Sequence, residues 1–323
     1  MQIRAGQVAV VTGMGSGIGR ALARQLSVAG VHVAGCDVSE EGLRETREAC
    51  LAGAPAGTRV TTFRADVSRE ADLEAFRDAV LREHGVDHVD LLFNNAGIGG
   101  GGSFVDGERE QWERTFAVCW QGVYFGARVF LPLLRAAPEA FMVNVSSVNG
   151  FWASLGPGTA HTAYSAAKFA VKGFTEALIT DLRLHAPHVK CAVVMPGHIG
   201  TSIAINTGKL LGIGEPLEMP AERVAEARRR MLAAGAPVAH LPDDAIRKML
   251  HQRGVDFRDK APTTAEQAAS IILEGVRSGR WRILVGEDAH RLDGMVRGDP
   301  EGSYEPDFAQ RWQSAATTPL ARG

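Results

Sequence analysis

The chain has 323 residues, 45% of them hydrophobic and 22% charged, a globular balance that excludes wholesale disorder. With 35 basic against 37 acidic residues the net charge is -2, so the basic surplus expected of a dedicated nucleic-acid binder is missing. No apolar run approaches the roughly 18 residues of a membrane-spanning helix, which predicts a protein without a membrane partner.

In chain order, Val8-Ala9-Val10-Val11 is a short apolar run of the kind a strand buried on both faces shows. It leads into the glycine-rich Thr12–Gly19 and then a helix with Ile18, Leu22 and Leu26 on one face, stopped near Gly30. Val31–Cys36 predicts a second strand, ended by Asp37, and Val60–Arg64 a third. Ser39 and Ser68 stand where caps of the following helices belong. Leu91–Phe93, Phe141–Val145 and Cys191–Met195 predict three more strands, separated by long helices over Glu110–Arg135 and Tyr164–Leu184. Strands alternating with helices imply a doubly wound parallel sheet of Rossmann type, because parallel neighbours need a crossover.

Residues 1–200 are therefore the expected core of a single α/β domain. Residues 201–263 lack strand signals and carry helical patterns at Pro220–Ala234 and Pro242–Gln252. So long an excursion predicts a helical lid inserted into the domain. Residues 264–296 return to the core with a helix over Thr264–Val276 and a last strand, Arg282–Val285. The tail, 297–323, is rich in Gly, Pro and charge and is expected to be disordered in part or to pack on a neighbouring subunit. Cys36, Cys50, Cys119 and Cys191 lie far apart without a CxxC pair, which argues against a zinc site, a redox motif or a disulfide framework. The opening Met1-Gln2-Ile3-Arg4 has no signal-peptide pattern. Reduced thiols and a cytoplasmic location are the expectation.

Three segments carry chemistry. Glycines between a strand and a helix let the backbone approach a pyrophosphate at the helix N-terminus, which points to Gly13, Ser16, Gly17, Ile18 and Gly19. Asp37, at the end of the second strand, is placed to accept both ribose hydroxyls of an adenosine and to repel a 2′-phosphate, so NAD is expected over NADP. Tyr164 and Lys168 stand at i and i+4 of one helix. A free phenol titrates near 10. An ammonium about 4 Å away contributes roughly 4 kcal/mol at an effective dielectric of about 20, but only about 1 kcal/mol in bulk water. The pair makes a base near neutrality only in a cleft partly closed to solvent.

TGxxxGIG at 12–19, Asp66-Val67, NNAG at 94–97, Ser147 before Val148-Asn149-Gly150, YxxxK at 164–168 and PGxIxT at 196–201 together resemble the short-chain dehydrogenase/reductase family in its single-domain, NAD(P)-dependent form. The resemblance implies Tyr164 as general acid/base and Lys168 as the group that lowers its pKa and holds the nicotinamide ribose. Ser147 is implied to orient the substrate oxygen, with Ser146 supporting it. It further implies adenine contacts from Asp66 and Val67, a cofactor wall from Asn95, Ala96 and Gly97, and nicotinamide contacts from Pro196, Gly197, Ile199 and Thr201. Two features depart from the family. Cys119 replaces the asparagine of the central helix, which puts a water-linked proton relay in doubt because a thiol is a weak acceptor. The loop from Ser147 to Tyr164 is longer than usual and contains Phe151, Trp152, Leu155, Gly156, Pro157 and Gly158.

The expected reaction is reversible oxidation of a secondary alcohol to a ketone, with no metal. Asn149, Phe151, Trp152, Leu155, His198 and Ile203 are candidate substrate contacts, with Leu210, Leu211 and Met249 adding to an apolar pocket. Gly99–Gly102 are expected to leave room near the nicotinamide. The family implies assembly as a homodimer or homotetramer through its long helices. The alternatives are an NADPH-preferring carbonyl reductase, which Asp37 opposes, and a silent dinucleotide-sensing regulator, which only Cys119 favours.

Overall fold

The computed structural model describes residues 1–156, 159–233 and 235–316. Of the positions singled out above, Pro157, Gly158, Ala234 and residues 317–323 lie outside the described residues. The elements run β1 (Val8–Thr12), α1 (Gly17–Val28), β2 (His32–Asp37), α2 (Glu40–Gly53), β3 (Val60–Arg64), α3 (Glu70–His84), β4 (Leu91–Asn94), α4 (Arg109–Phe116), α5 (Gly122–Ala136), β5 (Ala140–Val145), α6 (Thr162–His185) and β6 (Val189–Pro196). There follow β7 (Ile199–Gly200), α7 (Ile203–Leu210), α8 (Ala221–Ala233), α9 (Asp243–Asp259), β8 (Thr263–Thr264), α10 (Ala265–Arg277), β9 (Arg282–Val285), α11 (Glu287–Gly298) and α12 (Phe308–Ala316).

Seven strands form one parallel sheet in the order β3-β2-β1-β4-β5-β6-β9. Alternation along each strand divides the core into two layers. Val11, Phe93 and Val143 face α1 and α10, with Leu22, Leu26, Ile272 and Leu273. Val10, Leu92 and Met142 face α3, α5 and α6, with Phe76, Phe130 and Leu134. Full burial of each large apolar side chain contributes about 1.5–3 kcal/mol. The strand order reverses between β1 and β4, the place where such sheets open a crevice at their carboxyl ends.

Local chemistry explains most boundaries. Ser39 caps α2 by accepting from the Gly42 amide at 3.1 Å. Thr264 and Gln267 exchange two hydrogen bonds, 3.1 and 2.9 Å, in a capping box that starts α10. Ser68, in contrast, caps no helix: α3 begins after Arg69, and the Ser68 hydroxyl donates to Asp66 Oδ1 at 2.7 Å. Helices α4 and α5 are joined through a π turn at Ala117–Gln121 into one 28-residue helix. That helix is long and apolar enough to cross a membrane, which corrects the expectation drawn from unbroken apolar runs. Half of its apolar stretch is buried inside the fold, where Phe130 and Leu134 pack on the sheet.

Helices α7, α8 and α9 occupy the inserted segment. Val224, Met231, Val238 and Ile246 give it a small apolar core of its own. Its two ends meet where β7 pairs in parallel with β8, Ile199 opposite Thr263. Within the described residues the tail is helical over Phe308–Ala316. It folds onto its own chain, because the long loop after Ser147 offers it an aromatic anchor. Phe308, 2% exposed, lies with its ring centroid 5.3 Å from that of Trp152. Trp152 Nε1 donates to the Ser303 carbonyl at 2.8 Å, and the Ala153 amide to the Tyr304 hydroxyl at 3.0 Å. Removing a buried phenyl ring costs about 3–5 kcal/mol. Phe308→Ala is expected to lower stability by about that amount and to make the chain beyond Val296 the first site of limited proteolysis. An unchanged melting curve and digest would contradict this packing.

Candidate active site

A cleft of about 590 Å³ runs along the carboxyl ends of the strands, beside the inserted helices. Its first half is built by the glycine turn. Gly17 has φ +52°, a left-handed conformation that side chains disfavour. Gly19 lies outside the cleft lining, and its role is packing: a Cβ there would come 2.1 Å from the Gly13 carbonyl oxygen. Gly13, Ser16, Gly17 and Ile18 line the cleft, as do Asn95, Ala96 and Gly97 across from them. Asn95 binds the two rows together, its amide donating to the Thr12 carbonyl at 2.9 Å and the Gly13 carbonyl at 3.3 Å.

Asp37 faces the cleft with its carboxylate fixed by the amides of Gly15 and Ser39, both at 3.0 Å. Asp66 and Val67 line the same end. Partial burial works against ionisation of Asp66, but hydrogen bonds from Arg114 and Ser68 outweigh it and hold the carboxyl below its usual range. Arg114 Nη2 lies 2.8 Å from Asp66 Oδ2. At the opposite end Pro196, Gly197, Ile199 and Thr201 complete the row.

Ser147, Tyr164 and Lys168 meet in the middle of the cleft. The Lys168 ammonium lies 5.4 Å from the centre of the Tyr164 ring and donates to the Val145 carbonyl at 2.9 Å. Ser146 Oγ donates to the Lys168 carbonyl at 2.7 Å, which ties α6 to the end of β5. Ser147 Oγ accepts from the Asn149 amide at 3.1 Å. Burial pushes the Tyr164 phenol well above its usual value, and a hydrogen bond with Ser147 offsets only part of that. Burial pushes Lys168 in the opposite direction, down. Proximity to the ammonium is thus as the i, i+4 spacing predicts, but in the chain alone burial dominates and the phenol is neutral. Cys119 sits in the π turn, fully buried, and donates to the Ile98 carbonyl at 3.2 Å.

The other half of the cleft is apolar. Trp152, Leu155, Ile203, Leu210, Phe257 and Trp312 line it. Several expected contacts are used elsewhere. Phe151 lies behind the wall against Met195, Leu284 and Trp152 and does not reach the cleft lining; neither do Leu211 and Met249. The Asn149 amide nitrogen donates to the carbonyls of Trp152 and Ser154, at 3.0 and 2.8 Å, and so shapes the loop. His198 lines the cleft, yet its ring packs at a tilt against Phe257, centroids 4.3 Å apart, and donates to the Phe257 carbonyl at 2.7 Å. Gly100 and Gly101 serve packing rather than open space: Cβ atoms there would come 2.7 Å from Leu211 and 2.3 Å from Ala163.

A family description, short chain dehydrogenase, matches residues 7–210. The chain belongs to the short-chain dehydrogenase/reductase family. It is 35% identical over 292 residues to an oxidoreductase by name, SadH of Mycobacterium tuberculosis, covering 90% of each chain. Among solved structures it is similar to a short-chain dehydrogenase/reductase from Burkholderia phymatum in complex with NAD, at 30% identity, TM-score 0.73 and full coverage of both chains. It is also similar to a metagenomic short-chain oxidoreductase in complex with NADP, at 33% identity and TM-score 0.53, over 61% of this chain and 84% of that one. The protein is an oxidoreductase of this family.

Several cleft residues of this oxidoreductase escape a reading of motifs, among them Phe257 of α9. Arg114 comes from a helix face with no signature. Asp288 lies in α11, unseen in the sequence, and accepts from the His198 amide at 2.6 Å. Trp312 belongs to the tail. His161, three residues before Tyr164, could have been suspected from that spacing alone. Because Tyr164 titrates above the ordinary phenol value of 10 when folded, the folded state holds the proton that the unfolded state releases, and stability falls as pH rises above 10. Tyr164→Phe is expected to flatten that fall in denaturation curves taken across pH 9–11, about one unit either side of the free phenol value. Parallel curves for parent and variant would refute the burial effect.

Proposed function

We propose that this dehydrogenase interconverts a bulky, uncharged secondary alcohol and its ketone, with NAD as the hydride carrier. The observation that carries the reading is the convergence of Ser147, Tyr164 and Lys168 in the cleft that also holds the glycine turn and Asp37. The cleft fits a dinucleotide. Gly13 stands where a Cβ would come 2.8 Å from Ala96, so the turn presents backbone rather than side chains beside the α1 N-terminus. Asp37 keeps acceptor capacity toward ribose hydroxyls and would repel a 2′-phosphate. Among the described residues only Arg114 and Lys168 supply cations to the lining, and Arg114 is paired with Asp66.

When bound, the nicotinamide supplies the carbon that gains or loses hydride. The chain supplies orientation and the proton. Ser147 is placed to donate a hydrogen bond to the substrate oxygen. Tyr164 exchanges the hydroxyl proton. A phenol that burial keeps neutral ionises only with positive charge beside it in the same low-dielectric space, and Lys168 is that charge from the protein. Trp152, Leu155 and Phe257 with no cation among them favour an apolar substrate over a carboxylate or phosphate. The exposed Tyr124, Phe169 and Leu184 on α5 and α6 support assembly into a homodimer or homotetramer through those helices, and four free, buried cysteines support a reducing compartment such as the cytoplasm.

The test is a panel of alcohols and ketones followed by absorbance of the reduced nicotinamide. Turnover of bulky secondary alcohols is expected, with Tyr164→Phe losing at least about a hundredfold in kcat while still binding the reduced dinucleotide. No turnover of any panel member by the parent would defeat the reading. Asp37→Asn is expected to raise the kcat/KM ratio of NADP to NAD by about tenfold or more, as the like-charge repulsion is removed; an unmoved ratio would count against Asp37 as the selector.

A further inference from the structure

Among the described residues three carboxylates line the cleft: Asp37, Asp66 and Asp288. Asp37 is held by two amides and Asp66 is paired with Arg114, both at the end suited to an adenosine. Asp288 stands at the other end, against the turn that carries Gly197 and His198, and the reaction described above does not use it. As a first-turn acid of α11 it complements the helix dipole, but its carboxylate reaches out of that helix. Oδ2 accepts from the His198 amide at 2.6 Å. A Cβ on Gly197 would collide with both carboxylate oxygens, so the group lies against bare backbone. A Cβ on Gly286 would collide with Oδ1, which is buried and has no hydrogen-bond partner among the described residues.

Two glycines thus make room for a carboxylate whose second oxygen is left unsatisfied. Burying an acceptor without a partner is unfavourable. The bond to His198 does not require an acid, since a neutral amide oxygen would also accept from it. What a neutral group lacks is the charge. Gly197 is one of the four residues that the family resemblance assigns to the nicotinamide. Of a dinucleotide's parts, only that ring changes charge in the reaction, cationic when oxidised and neutral when reduced. The adenosine, the riboses and the pyrophosphate are the same in both forms. A fixed charge at this end therefore tells the two forms apart, and one at the Asp37 end does not. Lys168, in the middle of the cleft, acts against the cationic ring. A carboxylate held against Gly197 opposes that repulsion.

We propose that Asp288 is a specificity-determining residue for the oxidation state of the cofactor: its charge strengthens binding of the oxidised dinucleotide and contributes nothing to binding of the reduced one. The role rests on the NAD reading. Asp288 acts through binding and moves no proton. It attracts the ring before hydride transfer and not after it, so it draws the oxidised form in without retaining the reduced one.

The test measures dissociation constants of oxidised NAD, NADH and ADP-ribose by calorimetry for the parent and for Asp288→Asn, which keeps an oxygen for the His198 amide and loses the charge. Expected is a loss of about fivefold or more in affinity for oxidised NAD, with NADH and ADP-ribose within about twofold of the parent. Should Asp288→Asn fail to fold, Asp288→Thr, whose hydroxyl can also accept, is read in the same way. Equal weakening of oxidised NAD and NADH assigns Asp288 to holding the turn and overturns the charge role. An unmoved constant for oxidised NAD overturns it as well. Either result leaves the NAD reading intact, whereas a parent that binds neither oxidised NAD nor NADH overturns the reading and the charge role together.

Discussion

Lys168 is an ammonium enclosed in protein whose bonded partner, among the described residues, is the Val145 carbonyl rather than a carboxylate. An uncompensated buried charge costs several kcal/mol, and burial pushes this one toward its neutral form. A fold retains such a group only if the rest of the structure holds it there. The Val145 carbonyl at the end of β5 receives it, and Ser146 grips the backbone of the same residue. Asn144, the next residue inward on β5, donates to Thr175 of α6 at 3.0 Å, and Asn94 of β4 donates to Asn144 at 2.8 Å. A chain of buried polar contacts thus runs from the switch point of the sheet into α6. The unneutralised charge stays available to the phenol beside it.

The core and the glycine-turn half of the cleft were legible in the sequence because each of their features is local. A fully buried strand reads as a run of Val, Leu and Phe, and β3 and β9 match their expected limits, Val60–Arg64 and Arg282–Val285. The tight turn between β1 and α1 holds Gly13 and Gly17 at positive φ, which favours glycine at both. The i, i+4 spacing places Tyr164 and Lys168 on one face without reference to the rest of the chain. Cleft lining by Asp37, Asp66, Asn95 and Thr201 follows from their positions at strand ends.

The substrate half was less legible because its residues are chosen by partners far away in sequence. Phe151 and Trp152 are adjacent aromatics in one loop. Only the approach of α11 and α12 decides that the first turns inward against Met195 while the second faces the cleft. Composition suggested a loose tail, yet Phe308 finds Trp152 across more than 150 residues of chain. His198 looked free to touch a ligand until α9 brought the Phe257 carbonyl to it. The π turn at Ala117–Gln121 also has no signature in residue type. It lets Cys119 reach the Ile98 carbonyl, a contact that depends on β4 ending where it does.

The parallel pairing of Ile199 with Thr263 and of Gly200 with Thr264 draws the ends of a sixty-residue excursion together at one point of the core. Because that excursion has its own apolar centre around Val224 and Ile246, it behaves as a cassette clipped onto the sheet by a two-rung ladder. Its contacts with the core are local: the Thr207 hydroxyl accepts from the Gly99 amide at 2.8 Å, and Thr201 lies beside Gly17 of the glycine turn. The inserted stretch still contributes Ile203, Leu210 and Phe257 to a cleft wall that it shares with Trp152, Leu155 and Trp312 of the core and tail, so changes in its cleft-facing residues are felt across that shared wall.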